Sequence, residues 1–262
     1  MTTAQSLASS SPVQWLLVMT ATIEPSPQAV VRRADPALRR ADYEQALRFW
    51  LGYDHPCASR ILFLENSGAD LTSLRRIAEQ ENTLGKQVEF LSIPAGPIPD
   101  GLNYGFAEME LLDAGLSRSA LRPETTHLIK TTGRLMFPSL GRALDRLPAA
   151  PELLLDCRRF PWPRQGADAR VQLFACSHAF YDRHLRGSHL LMRPDGPRLL
   201  EQLLYARAIG CQGEPGVYLR FPCNIDPVGY SGFRARSYQS PSQRIEQALR
   251  AFLRRVAPSF WY

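Results

Sequence analysis

Short apolar runs alternate with amphipathic stretches through the first 157 residues. VQWLLVMTA, near residues 13–21, has the length and bulk of a buried strand. PALRRADYEQALRFWLG follows, with Leu38, Ala41, Ala46, Phe49 and Trp50 spaced along one face of a helix. Asp35 before Pro36 reads as an N-cap followed by proline in the first helical turn. RILFLENSG predicts a strand over 61–64 that ends in a turn, and DLTSLRRIAEQEN a helix capped by Asp70. VEFLSI predicts a strand over 88–93, GFAEMELLDAGL a helix from about Gly105, HLIKT a strand over 127–131, and ELLLDC a strand over 152–157. The second half is less regular. A strand over 171–176 leads into a helix from about Ser177, GPRLLEQLLYARAIG is helical, and VYLRF is a short strand. A turn-rich stretch, NIDPVGYSGFRARSYQSP, precedes a basic amphipathic helix over about 241–257 with an aromatic tip.

Strands alternating with helices predict an α/β fold, a Rossmann-type and mainly parallel sheet flanked by helices. Such sheets bind ligands beyond the carboxyl ends of their strands. The polar residues that follow each predicted strand are therefore the ones to examine: Thr20 and Thr22; Glu65, Asn66 and Ser67; Lys130 to Arg134; and Asp156 to Arg159. With 262 residues and no repeat or low-complexity linker, residues 1–11 read as a loose tail and 12–262 as one domain.

No apolar run reaches the roughly 18–20 residues of a membrane span. The N-terminus lacks a basic stretch leading into an apolar one, so a secretory signal is not expected. Five cysteines without a CxxC pair argue against a disulfide framework or a zinc site, and favour reduced thiols in a cytoplasmic protein. The net charge of +6 is carried almost wholly by arginine; Lys86 and Lys130 are the two lysines. Arginine forks suit phosphate and carboxylate, and a solvated basic surface is the plain alternative. No RRM, helix-turn-helix or zinc-finger pattern is present, so a nucleic-acid partner is not expected.

Five strand-end motifs occur in order: ILFLENSGADL, YGFAE at 104–108, IKTTGR at 129–134, LLEQLLY at 199–205, and GYSG at 229–232. The series resembles bacterial glycosyltransferases of polysaccharide biosynthesis with a GT-A-like fold, the group that includes galactofuranosyltransferases. The resemblance spans about residues 13–238. It departs at Tyr104, where that family has a basic residue, at Ala107, where it has glycine, and at Phe233, where it has serine.

The resemblance implies transfer of a sugar from a nucleotide-diphosphate donor to a glycan or lipid-linked acceptor, with the second half on the acceptor side. Many GT-A enzymes receive the leaving diphosphate's charge on a metal held by a D-x-D motif. Here the corresponding segment offers Lys130 and Arg134 with Thr132 and the Gly133 amide, which points to metal-independent catalysis with no cofactor. The plain alternative pairs both cations with carboxylates to brace the turn. Thr20, Thr22, Glu65, Asn66, Ser67 and Glu108 are candidates for the nucleotide side, or for capping their own turns. Glu201 matches the expected general base, with Asp195 and Asp226 in reserve, the plain alternative being a surface helix glutamate that pairs with Arg198 or Arg207. Asp156, Arg158, Tyr205 and Ser231 are secondary or acceptor-side candidates, Asp156 and Arg158 being equally readable as a salt bridge. His178, His184 and His189 do not share a helical face, so no metal site is expected. The C-terminal helix suits peripheral contact with an anionic membrane, or packing on a partner. A non-catalytic glycan- or nucleotide-binding module with a transferase-like fold is the second reading.

Overall fold

The computed structural model describes residues 12–26, 31–159, 166–197, 199–232 and 236–256, the last including only the backbone of 254 and 255. The strand Trp15–Ala21 (β1) is buried along its whole length, because elements cover both faces and both edges. Parallel neighbours flank it: Arg60–Glu65 (β2) on one side and His127–Thr132 (β4) on the other. Gln87–Ser92 (β3) adds to β2 in parallel. Beyond β4 come Ala167–Ser177 (β6), Leu153–Arg159 (β5) and the two-residue Val217–Tyr218 (β7). The seven-stranded order is β3-β2-β1-β4-β6-β5-β7. The order in which strands are added thus reverses at β1, with β2 and β3 to one side and β4 to the other, the kind of point where a crevice opens at the strand ends.

The sheet is mainly parallel, as the pattern predicts, with β6 antiparallel to both neighbours. The reason is the short 160–166 connection: parallel neighbours need a crossover of a dozen residues or more, whereas seven allow only a hairpin. Strand β6 is also longer than the expected 171–176, its first residues pairing with the end of β5.

Alternation along β1 sorts the core. Trp15, Leu17, Met19 and Ala21 pack with Pro36–Leu51 (α1), Thr72–Gln80 (α2) and Leu140–Leu144 (α4). Leu16 and Val18 face Tyr104–Arg118 (α3) and Leu200–Gly210 (α6). Helix α1 starts as its sequence predicts: Asp35 accepts from the Ala37 and Leu38 amides, and Pro36 occupies the first turn. Asp70 likewise accepts from the amide and hydroxyl of Thr72, just ahead of α2. The expected helix from Ser177 is a single turn, His178–Phe180 (α5), capped by the Ser177 hydroxyl and continued by one π-turn, Tyr181–Leu185. The last helix, Pro241–Val256 (α7), is in place; the tail 1–11 and the aromatic tip lie outside the described residues.

Helices α3 and α6 approach closely where Gly105 meets Leu200. A Cβ on Gly105 would lie 2.8 Å from the Leu200 Cβ and 3.0 Å from Oδ1 of Asn103, which caps α3. Gly105→Ala is expected to cost about 1–3 kcal/mol by overpacking, seen as a lower urea midpoint with the circular-dichroism spectrum unchanged.

Candidate functional site

Lys130 is paired in register with Val18, which puts its side chain on the α3 side of the sheet, alongside Leu128. An apolar residue would be the ordinary occupant there. The lysine is 0 % exposed, and its Nζ donates to Oε1 of Glu108 at 2.6 Å and to the Val171 carbonyl at 2.9 Å. Glu108, one turn into α3, is 15 % exposed. The same Oε1 accepts from the Thr20 hydroxyl at 2.8 Å and lies 3.5 Å from that of Thr132. Thr20 and Thr132 are partners across the β1–β4 ladder, so two strand ends and one helix converge on a single oxygen. Among the described residues Oε2 accepts no hydrogen bond. Burial pushes the Glu108 carboxyl up, but the charge and hydrogen bond of Lys130, then Thr20 and Arg134, leave it below its ordinary value. Glu108 is therefore ionised at neutral pH.

The turn after β4 is tied to β1. The Gly133 amide donates to the Thr20 carbonyl at 2.8 Å, and a Cβ at 133 would sit 2.8 Å from that oxygen. Arg134 follows. Its Nε donates to the Tyr230 carbonyl at 3.0 Å and its guanidinium lies against Gly232, while its terminal nitrogens make no hydrogen bond among the described residues. Met136 and Val228 form an antiparallel bridge that seats the late GYSG turn on this one. Arg33 closes the stack. Its amide donates to the Gly232 carbonyl, its guanidinium lies 4.3 Å from the Tyr230 ring centre, and Asp42 holds it at 2.5 and 2.7 Å. Two motifs a hundred residues apart thus meet around one guanidinium. Ser231 takes part through its backbone, whose amide donates to the Arg236 carbonyl; Phe233 lies outside the described residues.

Glu201 enters from the first turn of α6 and is half-buried. Burial first, then the like charges of Glu108 and Asp168, hold its carboxyl above the ordinary glutamate value; its own amide and Lys130 offset part of this. Tyr104, at the start of α3, feels the charges of Glu201, Glu108 and Arg134. Partial burial and the two carboxylates push its phenol up to about 12, so it stays protonated. Sequence reasoning noted Tyr104 only as a departure and passed over Asp168. The missed signal was the parity of β6, which sets Asp168 opposite Arg158 at the crevice rim.

Some expectations change. Lys130 is enclosed and neutralised by Glu108, so it does not present an open cation to a ligand. The Gly133 amide is already bonded to Thr20. Glu65 is 0 % exposed. Its Oε1 accepts from the Ile23 and Ser67 amides and the Ser67 hydroxyl, and its Oε2 from the Gly68 amide, so it braces the ENSG turn rather than facing a ligand. Thr22 donates to Asn66 Oδ1 at 2.6 Å and the Ser67 hydroxyl accepts from the Glu24 amide, which locks the β1 and β2 ends together. Arg158 pairs with Asp168 at 2.7 Å, Asp156 faces Arg170 at 3.9 Å, and Arg159 donates to the Tyr205 hydroxyl at 2.6 Å. These contacts form a polar rim across β5, β6 and α6, beside the Glu108 cluster.

No protein-family model matches the chain, and no curated protein matches it in sequence. Similar solved structures include a protein assigned as a nucleotide-diphospho-sugar transferase from Desulfovibrio desulfuricans G20, 13% identical with a TM-score of 0.42, covering 93% of this chain and 98% of that one. HddC from Yersinia pseudotuberculosis, complexed with GMP-PN, is 11% identical with a TM-score of 0.32, covering 63% of this chain and 77% of that one. Mannose-1-phosphate geranyltransferase from Thermus thermophilus is 14% identical with a TM-score of 0.29, covering 79% of this chain and 74% of that one.

Removing one member of a buried ion pair strands the other charge. Lys130→Met is therefore expected to cost about 3–5 kcal/mol, and the double variant Lys130→Met/Glu108→Met to recover most of it, in chemical denaturation. The depressed Glu108 carboxyl contributes stability above the ordinary carboxylate pKa and loses it as pH falls through the folded-state value. That acid-side loss should be present in the native protein and absent in the double variant.

Proposed function

We propose that the chain is a glycosyltransferase of the hexosyltransferase class. It moves a sugar from a nucleotide-diphosphate donor to a glycan or lipid-linked acceptor of surface-polysaccharide assembly, with arginine rather than a metal ion at the diphosphate. One observation carries this reading: an open guanidinium, an ionised carboxylate and a carboxylate of raised pKa share the crevice at the β1–β4 reversal.

Each group has a task that its surroundings suit. The diphosphate lies against the terminal nitrogens of Arg134, whose Nε–Tyr230 bond aims them. As the anomeric C–O bond breaks, charge grows on the leaving phosphate and the prepositioned guanidinium receives it. The open Oε2 of Glu108 accepts from a hydroxyl of the donor's ribose or sugar, while Lys130 and Thr20 fix the carboxylate. Glu201 takes the proton of the acceptor hydroxyl as its oxygen bonds to the anomeric carbon, which inverts that centre. A raised carboxyl is a stronger base than an ordinary one, which favours this transfer. Tyr104 offers a ring face to the sugar, and the Arg158–Asp168 and Arg159–Tyr205 pairs border the acceptor.

Helix α7 suits a lipid-linked acceptor. Ile245, Leu249, Phe252 and Val256 are exposed on one side of it, with Arg244 and Arg250 on the same helix. Such a helix can lie on an anionic membrane surface, which supports the reading of a cytoplasmic protein peripheral to the inner face of the membrane. Among the described residues no helix is long and apolar enough to cross a membrane.

The direct test is a nucleotide-sugar panel, with and without EDTA, followed by thermal stabilisation and release of nucleoside diphosphate. Stabilisation by one nucleotide without turnover on any acceptor would favour the binding module. Arg134→Ala is expected to lower kcat about 100-fold or more with Tm retained; unchanged turnover would remove Arg134 from the chemistry. Because Glu201 must be ionised to act, kcat/KM should fall as pH drops through its raised pKa. Asp168→Asn removes a like charge that raises the Glu201 pKa, so the acid limb should move to lower pH; an unmoved limb would mean that another group is the base.

A further inference from the structure

The far end of α6 carries a second cluster that the transfer chemistry does not use. Cys211 caps the helix, and its amide bonds back to the Ala208 carbonyl. Glu214 turns back over it, its amide donating to the Cys211 carbonyl. His184 arrives from the π-turn after β6, its ring held by Phe180 at a centroid distance of 4.5 Å. One ligand atom from each of His184, Cys211 and Glu214 lies within 4.8 Å of the others, and Cys211 Sγ is 3.7 Å from His184 Nδ1.

We propose that Cys211, His184 and Glu214 form a binding site for a zinc-type divalent cation, which pins the C-terminal end of α6 to the π-turn 181–185.

Three features support this. The first is spacing. With Zn–S of about 2.3 Å and Zn–N of about 2.0–2.1 Å, sulfur and nitrogen at two corners of a tetrahedron are about 3.6 Å apart. The cluster therefore needs little movement at that edge. The second is donor type. Thiolate, imidazole and carboxylate together select zinc-like ions over magnesium or calcium, which take all-oxygen sets. The third is charge and access. A thiolate and a carboxylate balance a divalent ion, the thiol proton passing to solvent as the S–metal bond forms. Cys211 is buried while Glu214 is exposed, so a water can complete four-coordination from the open side. Two of the ligands are three residues apart and the third is 27 residues away, which is why counting CxxC pairs and helix-spaced histidines does not find them. Glu201 and Cys211 lie about 15 Å apart along α6 at the usual helical rise. The site is therefore structural, and it stands or falls independently of the transferase reading.

The test is Co(II) titration of the metal-stripped full-length protein, followed by Zn(II). Expected are a thiolate-to-cobalt charge-transfer band and intense tetrahedral ligand-field bands at one equivalent, displacement of both by Zn(II), and a higher Tm with Zn(II). Cys211→Ser should abolish the charge-transfer band, and Cys223→Ser should keep it. Should Cys211→Ser fold poorly, Glu214→Gln at its exposed position and His184→Gln should each weaken Co(II) binding and reduce the Zn(II) stabilisation. A weak octahedral spectrum without charge transfer, or a band that survives in Cys211→Ser, would overturn the site and leave the cluster as a hydrogen-bonded group.

Discussion

A lysine with no exposed surface, held between two strands and a helix, is the constraint around which this structure is arranged. Moving an ammonium out of water costs several kcal/mol, and Coulomb attraction offsets that only when the partner is close and the remaining protons are satisfied. Lys130 meets both conditions through Glu108 and the Val171 carbonyl. The demand then spreads. Glu108 must sit one turn into α3, so α3 must dock with its start over the ends of β1 and β4. Thr20 must present its hydroxyl, so β1 must keep its register. Strand β6 must run antiparallel beside β4 to bring its carbonyl into reach. The crevice follows from these requirements, and its open carboxylate oxygen is what remains after the others are met.

The fold was legible because its signals are local and redundant. The Asp35–Pro36 pair, the apolar runs of β1, β2 and β4, and the helical spacing of α1 each specify an element without reference to anything distant. Direction in the second half was less legible, because the orientation of β6 depends on the length of the 160–166 connection rather than on the composition of the strand. The site divides similarly. Strand-end position was enough to single out Thr20, Lys130, Thr132 and Arg134, and the family resemblance added Glu108; the structure gathers all five at one place. Position alone did not separate residues that face the crevice from those that support it. Glu65 and Lys130 lie at strand ends as Arg134 does, yet both are bonded inside the protein, and only the path of neighbouring amides and carbonyls reveals that. Asp168 and the His184–Cys211–Glu214 group depend on pairings across the chain that no linear spacing records.

The two lysines among so many arginines acquire a physical meaning. Lys86 donates to the Trp50 and Tyr53 carbonyls at the C-terminal end of α1, at 2.7 and 2.6 Å, and burial lowers its pKa. Lys130 is enclosed altogether. A slim stem ending in a compact ammonium threads into such slots. At the rims the arginine fork meets carboxylates side-on, as at Arg33–Asp42 and Arg158–Asp168, whereas Arg39 is buried and donates to the Thr22 and Arg33 carbonyls and the Tyr43 hydroxyl.

Side-chain parity gives the Lys130 position one more consequence. A slip of β4 by a single residue against β1 would carry every β4 side chain to the opposite face. The ammonium would then point among Leu17, Met19, Trp50 and Phe63, on the face away from Glu108. Leu128 and Ile129 are both apolar and would tolerate the exchange, so hydrophobicity alone discriminates poorly between the two alignments. The buried charge supplies the missing discrimination: it makes the mispaired chain costly and acts as a proofreading device during assembly of the sheet.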